Sequence, residues 1–115
     1  MVSYALTLFD NTLIPAYEGN GVFSPDLDLS GFREMSIFLV LWNEVRSQME
    51  TDGSVVAWPY WYLLTHSESF PSDSLGFGDT SMHFFHMPVH GPKAMIRVTN
   101  SGAAAHRMDG FLYAV

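Results

Sequence analysis

The stretch Phe32 to Val45, FREMSIFLVLWNEV, limits the fold more than any other part of the chain. Read with a period of two, it puts Met35, Ile37, Leu39 and Leu41 on one face and Glu34, Ser36, Phe38, Val40 and Trp42 on the other. Read as a helix, it would carry apolar residues on every side from Met35 to Trp42, so the alternation assigns a long central β-strand. Such a strand cannot turn both faces to one core. In a two-sheet sandwich each sheet has one inner face, so the apolar outer residues imply a second covered surface: a partner, a loop, or a bound ligand.

The remaining runs also read as strands separated by Gly, Pro, Asn, Asp and Ser clusters. Tyr4 to Phe9 is closed by Asp10-Asn11, and Asp26 to Leu29 by Ser30-Gly31. Thr51-Asp52-Gly53 has hairpin chemistry, which predicts that Phe32 to Val45 pairs antiparallel with the returning run Ser54 to Thr65. Pro59 has no amide donor and is expected at an edge or bulge of that run. Strands are also expected over Ser81 to Val89, Ala94 to Thr99 (Ala94, Ile96 and Val98 inward; Met95, Arg97 and Thr99 outward) and His106 to Val115. The long loop His66 to Asp79 is a candidate contact element, and its part from Ser67 onward could cover the second apolar face.

Seven or eight strands in 115 residues predict an all-β, single-domain protein: an antiparallel two-sheet β-sandwich of jelly-roll-like topology. The segments LSGFREMSIFLVLW, VHGPKAMIRVTNSG and DGFLYAV, over roughly residues 28 to 42 and 84 to 115, resemble small jelly-roll domains. Domains of this kind occur as decoration or cement proteins of tailed-phage capsids and as carbohydrate-binding modules. The resemblance implies a fold and these two types of role, and it transfers no site.

Charge narrows the partners. The formal net charge of −7 argues against a phosphate backbone, so no nucleic-acid partner is expected. Residues 1–80 hold eleven acids and two bases, net −9, whereas residues 81–115 hold three bases and one acid, net +2; such polarity would suit head-to-tail contact between copies. The chain has no cysteine, which removes disulfide and thiol chemistry. No basic leader and no apolar run long enough to span a bilayer is visible, so no membrane partner is expected.

Chemical motifs are sparse. His83, His86 and His90 offer imidazole ligands, but odd spacing sends His83 and His86 to opposite faces of a strand. Asp26 and Asp28 could donate oxygens to calcium, yet the glycine-centred loop and terminal acid of an EF-hand are absent. Neither group is assigned a metal, and no cofactor is expected. Carboxylates such as Glu34, Glu44, Asp52, Glu68 and Asp73 are plentiful, but there is no nucleophile elbow and no phosphate-binding glycine loop, so no enzymatic activity is expected.

The aromatic residues carry the functional reading. Phe38 and Trp42 on the long strand, with Trp58, Tyr60 and Tyr62 on one parity of the next and Trp61 on the other, form the candidate interface or ligand platform. Their mixture with Phe, Val, Met and Leu favours a protein partner, with a homo-oligomer, for example a trimer, as the preferred use. The expected function is a structural subunit that docks on a larger assembly such as a phage capsid, which would place it in the virion. A carbohydrate-binding module with a Trp/Tyr platform is the alternative.

Overall fold

The computed structural model describes residues 3–115. Its strands are β1 (Tyr4–Ile14), β2 (Glu18–Phe23), β3 (Leu27–Asp28), β4 (Glu34–Asn43), β5 (Asp52–Tyr62), β6 (Phe70–Pro71), β7 (Leu75–Phe77), β8 (Met82–Pro88), β9 (Lys93–Asn100) and β10 (His106–Ala114); a 3-10 turn covers His66–Glu68. They form two antiparallel sheets, β1-β10-β4-β8 and β2-β9-β5-β6, with β3 also on β9 and β7 also on β5. Because β2 and β3 share one edge of β9, and β6 and β7 one edge of β5, ten strands fill eight positions of a jelly-roll sandwich.

Between the sheets lies a core whose inward set on β4, Met35, Ile37, Leu39 and Leu41, is the one the alternation predicts. Burying side chains of this size stabilises by about 1.5–3 kcal/mol each before the entropy of ordering is counted. Ala94, Ile96 and Val98 of β9 face them from the second sheet, together with Trp61 and Phe77. Gly110 makes this packing possible on β10, since a Cβ there would stand 2.5 Å from Leu39 Cδ2 and 3.1 Å from the Phe38 carbonyl.

The predicted hairpin between the long strand and its successor does not form. β4 pairs with β10 and β8, whereas β5 pairs with β9 in the other sheet. The chain reverses earlier than expected, over Asn43 to Gln48, where Asn43 N–H donates to the Gln48 carbonyl and Glu50 N–H to the Leu41 carbonyl; Arg46 takes φ 57°. Asp52 turns its carboxylate to the Ser54 N–H at 2.9 Å and lies within β5. Its turn chemistry is therefore satisfied without a hairpin.

Two further expectations change at the N-terminal end. Asp10-Asn11 does not close β1 but forms an irregularity within it, with Asn11 at φ 49° and its N–H on Asp109 Oδ1 at 2.8 Å. The shift at Thr7 to Phe9 turns the consecutive residues Leu8 and Phe9 both inward. β2 is an additional strand that its glycines concealed. Pro59 lies at neither an edge nor a bulge, because β5 is flanked on both sides and keeps an unbroken register with β9; it faces Ile96, whose N–H and C=O are engaged by Ser24, and it lies opposite the break between β6 and β7. A missing donor is tolerated there, and the Pro59 carbonyl still accepts the Ser72 N–H.

The expected electrical polarity dissolves on folding. β10 inserts between β1 and β4, and β9 between β2 and β5, so the basic third of the chain is interleaved with the acidic part in both sheets. No helix among the described residues is long and apolar enough to cross a membrane.

Candidate functional site

The outer face of the four-stranded sheet carries a row of aromatic rings built by register. Phe38 on β4 lies opposite Phe84 on β8 and Phe111 on β10. Phe38 stacks on Phe111 with centroids 5.1 Å apart and meets Phe84 edge-on at 6.2 Å. The adjoining outward positions add Tyr113 beside Ser36, and Met82 beside Val40. Phe84 is 72% exposed, Phe111 52%, Tyr113 47% and Met82 42%. Together these side chains make an exposed apolar cluster on the outer face of the sheet.

Polar groups border the row. At one end His86 contacts Ser36 Oγ at 3.0 Å and Glu34 at 3.3 Å. At the other, Asp109 accepts the Asn11 N–H at 2.8 Å, the Trp42 indole N–H at 2.9 Å and Arg46 Nε at 2.9 Å. Partial burial pushes the Asp109 carboxyl up, but the Asn11 N–H, Arg46 and Trp42 together outweigh this and hold its pKa below the usual 3.8. The Arg46 guanidinium lies over the Trp42 ring, 4.9 Å from its centroid. Trp42 thus faces outward, as expected, but its ring and its N–H are already engaged within the chain.

The six candidate residues do not form one platform. Phe38 and Trp42 lie on the four-stranded sheet; Trp58 and Tyr60 lie half-buried on the outer face of the other sheet, their rings 5.9 Å apart. Trp61 is 0% exposed and belongs to the core, with its indole N–H on Ser72 Oγ at 2.7 Å. Tyr62 shares the parity of Trp58 and Tyr60 but is buried, packed edge-on against His66 at 4.8 Å. Burial, with Asp26 as hydrogen-bond acceptor, pushes its phenol up to about 12. The loop from Ser67 to Asp79 extends the edge of β5 through β6 and β7 and leaves Phe84 and Phe111 exposed.

Phe84, Phe111 and Tyr113 were not among the sequence candidates. The parity signal was present, because Met82, Phe84 and His86 alternate with the inward His83, Phe85 and Met87; what was missing was the knowledge that β8 and β10 flank β4.

The three histidines separate. His83 turns inward, with Nε2 2.6 Å from the Gly76 carbonyl; His86 turns outward; His90 packs edge-on against Trp61 at 5.2 Å, with Asp73 at 3.7 Å. Asp26 engages His66 at 2.9 Å, and Asp28 accepts the Ser30 N–H at 3.1 Å. Among the described residues, no group of three or more His, Cys, Asp or Glu side chains is arranged to share a metal ion.

No protein-family model and no curated protein matches the chain. Solved structures do share its fold. The infectious bursal disease virus VP2 subviral particle is similar over 98% of this chain and 32% of the VP2 chain, with 16% identity and a TM-score of 0.52. The Gx strain of the same virus gives a TM-score of 0.51 at 16% identity, over 98% of this chain and 32% of that one. The SPBc2 prophage-derived protein YomS is similar over 98% of this chain and 96% of its own, with 11% identity and a TM-score of 0.51. The chain therefore spans about a third of the VP2 chains and nearly all of YomS, and the likeness is one of fold.

Proposed function

We propose that this chain is a non-enzymatic structural subunit of a virion-type assembly, of the capsid-decoration kind, which docks on protein through the outer face of its four-stranded sheet. The observation that carries this reading is the row of exposed Phe111 and Phe84 flanking the half-buried Phe38, with its polar border, an apolar centre and charged rim of the sort that protein interfaces use. Similarity of fold to a viral capsid protein supports the same reading. The partner is another copy of the chain, in a closed oligomer such as a trimer, and that oligomer presents the remaining surface to the larger assembly.

Light scattering across concentration tests this with the wild type and Phe84→Asp. Phe84 is mostly exposed, so the substitution leaves the fold and far-UV circular dichroism unchanged. The expected result is an oligomeric wild type and a monomeric variant; a wild type that stays monomeric at every concentration contradicts self-association.

A further inference from the structure

The outer face of the six-stranded sheet holds a cavity of about 430 Å³, separate from the phenylalanine row and independent of the docking reading. The buried Met95, with Phe23 and Tyr60, gives it apolar walls; Arg97 and Asn20 line it as well, and Asp26 and His66 add polar groups.

The chain is shaped locally to hold Arg97. β2 has a register irregularity between Glu18 and Val22, within which Gly21 adopts φ 97° and donates its N–H to Glu18 Oε1 at 3.2 Å. A Cβ on Gly21 would stand 2.6 Å from Arg97 Nε, so glycine is what lets this segment close over the guanidinium. The Asn20 and Gly19 carbonyls accept Nε and Nη2 at 3.1 and 3.0 Å, and the Tyr60 hydroxyl accepts Nη1 at 2.7 Å. The rings of Tyr60, Trp58 and Phe23 lie 5.4, 5.7 and 5.9 Å from the guanidinium carbon.

Neutral oxygens therefore take one N–H from each guanidinium nitrogen, and one on each Nη is left over. No carboxylate among the described residues forms an ion pair with Arg97, although the chain is acidic overall. A cation fixed in place, walled by aromatic rings and without an ion-pair partner is arranged to receive an anionic group, and its two remaining N–H groups suit a carboxylate. Asp26, joined to His66 through Oδ1 at 2.9 Å, supplies the opposite character, an acceptor for hydroxyl donors.

We propose that the cavity binds a hexuronate. The carboxylate pairs with Arg97, the apolar face of the pyranose ring lies against Tyr60, and ring hydroxyls donate to Asp26 and to the Asn20 side chain. The volume lies within the roughly 300–1,000 Å³ of small-molecule pockets. An aliphatic or aromatic acid would leave Asp26 and Asn20 without new partners, and a neutral sugar would leave Arg97 without an ion-pair partner.

Titration with glucuronate, glucose and acetate, followed by NMR at the Arg97 Nε–H and the Gly19 and Gly21 amides, tests the site. Saturable shifts with glucuronate are expected, at an affinity at least about tenfold tighter than for glucose or acetate. Arg97→Lys is expected to abolish that margin, since an ammonium cannot make the paired contact. Asp26→Asn, which is independent of the guanidinium, weakens glucuronate and leaves acetate unchanged. No saturable shift, glucose equal to glucuronate, acetate equal to glucuronate, or an Asp26→Asn variant with unaltered glucuronate affinity would each overturn the proposal. Phe84→Asp leaves glucuronate binding intact, so a failure here is distinguishable from a failure of the docking reading.

Discussion

Asp109 shows how a single residue decides what an outer face can offer. It lies on β10 facing outward, opposite Val40, and ties the β1 irregularity to Trp42 and to Arg46 in the turn after β4. Asp109→Ala removes all three contacts and is expected to cost about 2–3 kcal/mol in chemical denaturation, because hydrogen bonds to a charged group are among the stronger ones. The same substitution frees the Trp42 ring from its cation, which an increased accessibility of the indole to a fluorescence quencher would report. Asp52, at the start of β5, behaves similarly near the same end of β4, where His106 links it to the Trp42 carbonyl. Its partial burial raises the carboxyl pKa, but the Ser54 N–H and His106 outweigh that and bring it below 3.8. His106 is buried and touches three strands or their connections: Asp52 Oδ2 at 2.8 Å through Nε2, and Glu50 Oε2 and the Trp42 carbonyl, both at 3.1 Å, through Nδ1. For Asp52 and Asp109 the folded pKa lies below the unfolded one, so their contribution is complete above the ordinary carboxylate range and is lost as pH falls through the lower folded values. Thermal melts between about pH 5 and 2 are expected to show a falling midpoint, with a smaller fall in Asp109→Ala.

At the scale of elements, Gly110→Ala is the sharpest test of packing on β10. The added methyl group meets Leu39 Cδ2 and the Phe38 carbonyl, and β4 cannot retreat without disturbing its pairing with β8. A loss of about 1–3 kcal/mol in urea denaturation is expected, and a neutral result would show that the sheet yields there. The β4 alternation was fully legible in the sequence because burial of Met35, Ile37, Leu39 and Leu41 needs only a period of two. Partner choice was not legible, since Thr51-Asp52-Gly53 carries the same local chemistry whether it closes a hairpin or opens a strand that crosses to the other sheet. For that reason Phe38 was visible as an outward residue while its companions Phe84 and Phe111 were not. Trp61 could be placed on the opposite parity from Trp58 and Tyr60, but only pairing and the cover from Ser72 show that this parity is the core. β2 escaped notice because a strand with two glycines, shaped around an arginine 76 residues away from Gly21, has little alternation to read.

For the molecule as a whole, topology and surface argue together. The first and last strands pair, and every neighbour in the four-stranded sheet is distant in sequence. Closing such loops before any contact is gained slows folding, so refolding followed by tryptophan fluorescence is expected in the millisecond-to-second range, and microsecond refolding would contradict this arrangement. The two outer faces differ in character, one a row of exposed rings with a charged border, the other a cavity arranged around Arg97. This division lets the two proposed activities fail or succeed separately. The claim that the ring row is the docking face is tested most directly by hydroxyl-radical footprinting of assembled and dissociated protein, read residue by residue by mass spectrometry. Phe84, Phe111 and Tyr113 are expected to lose reactivity on assembly, while the exposed Tyr17 and Phe23 keep theirs. Assembled protein in which Phe84 and Phe111 remain as reactive as in the free chain would contradict the account.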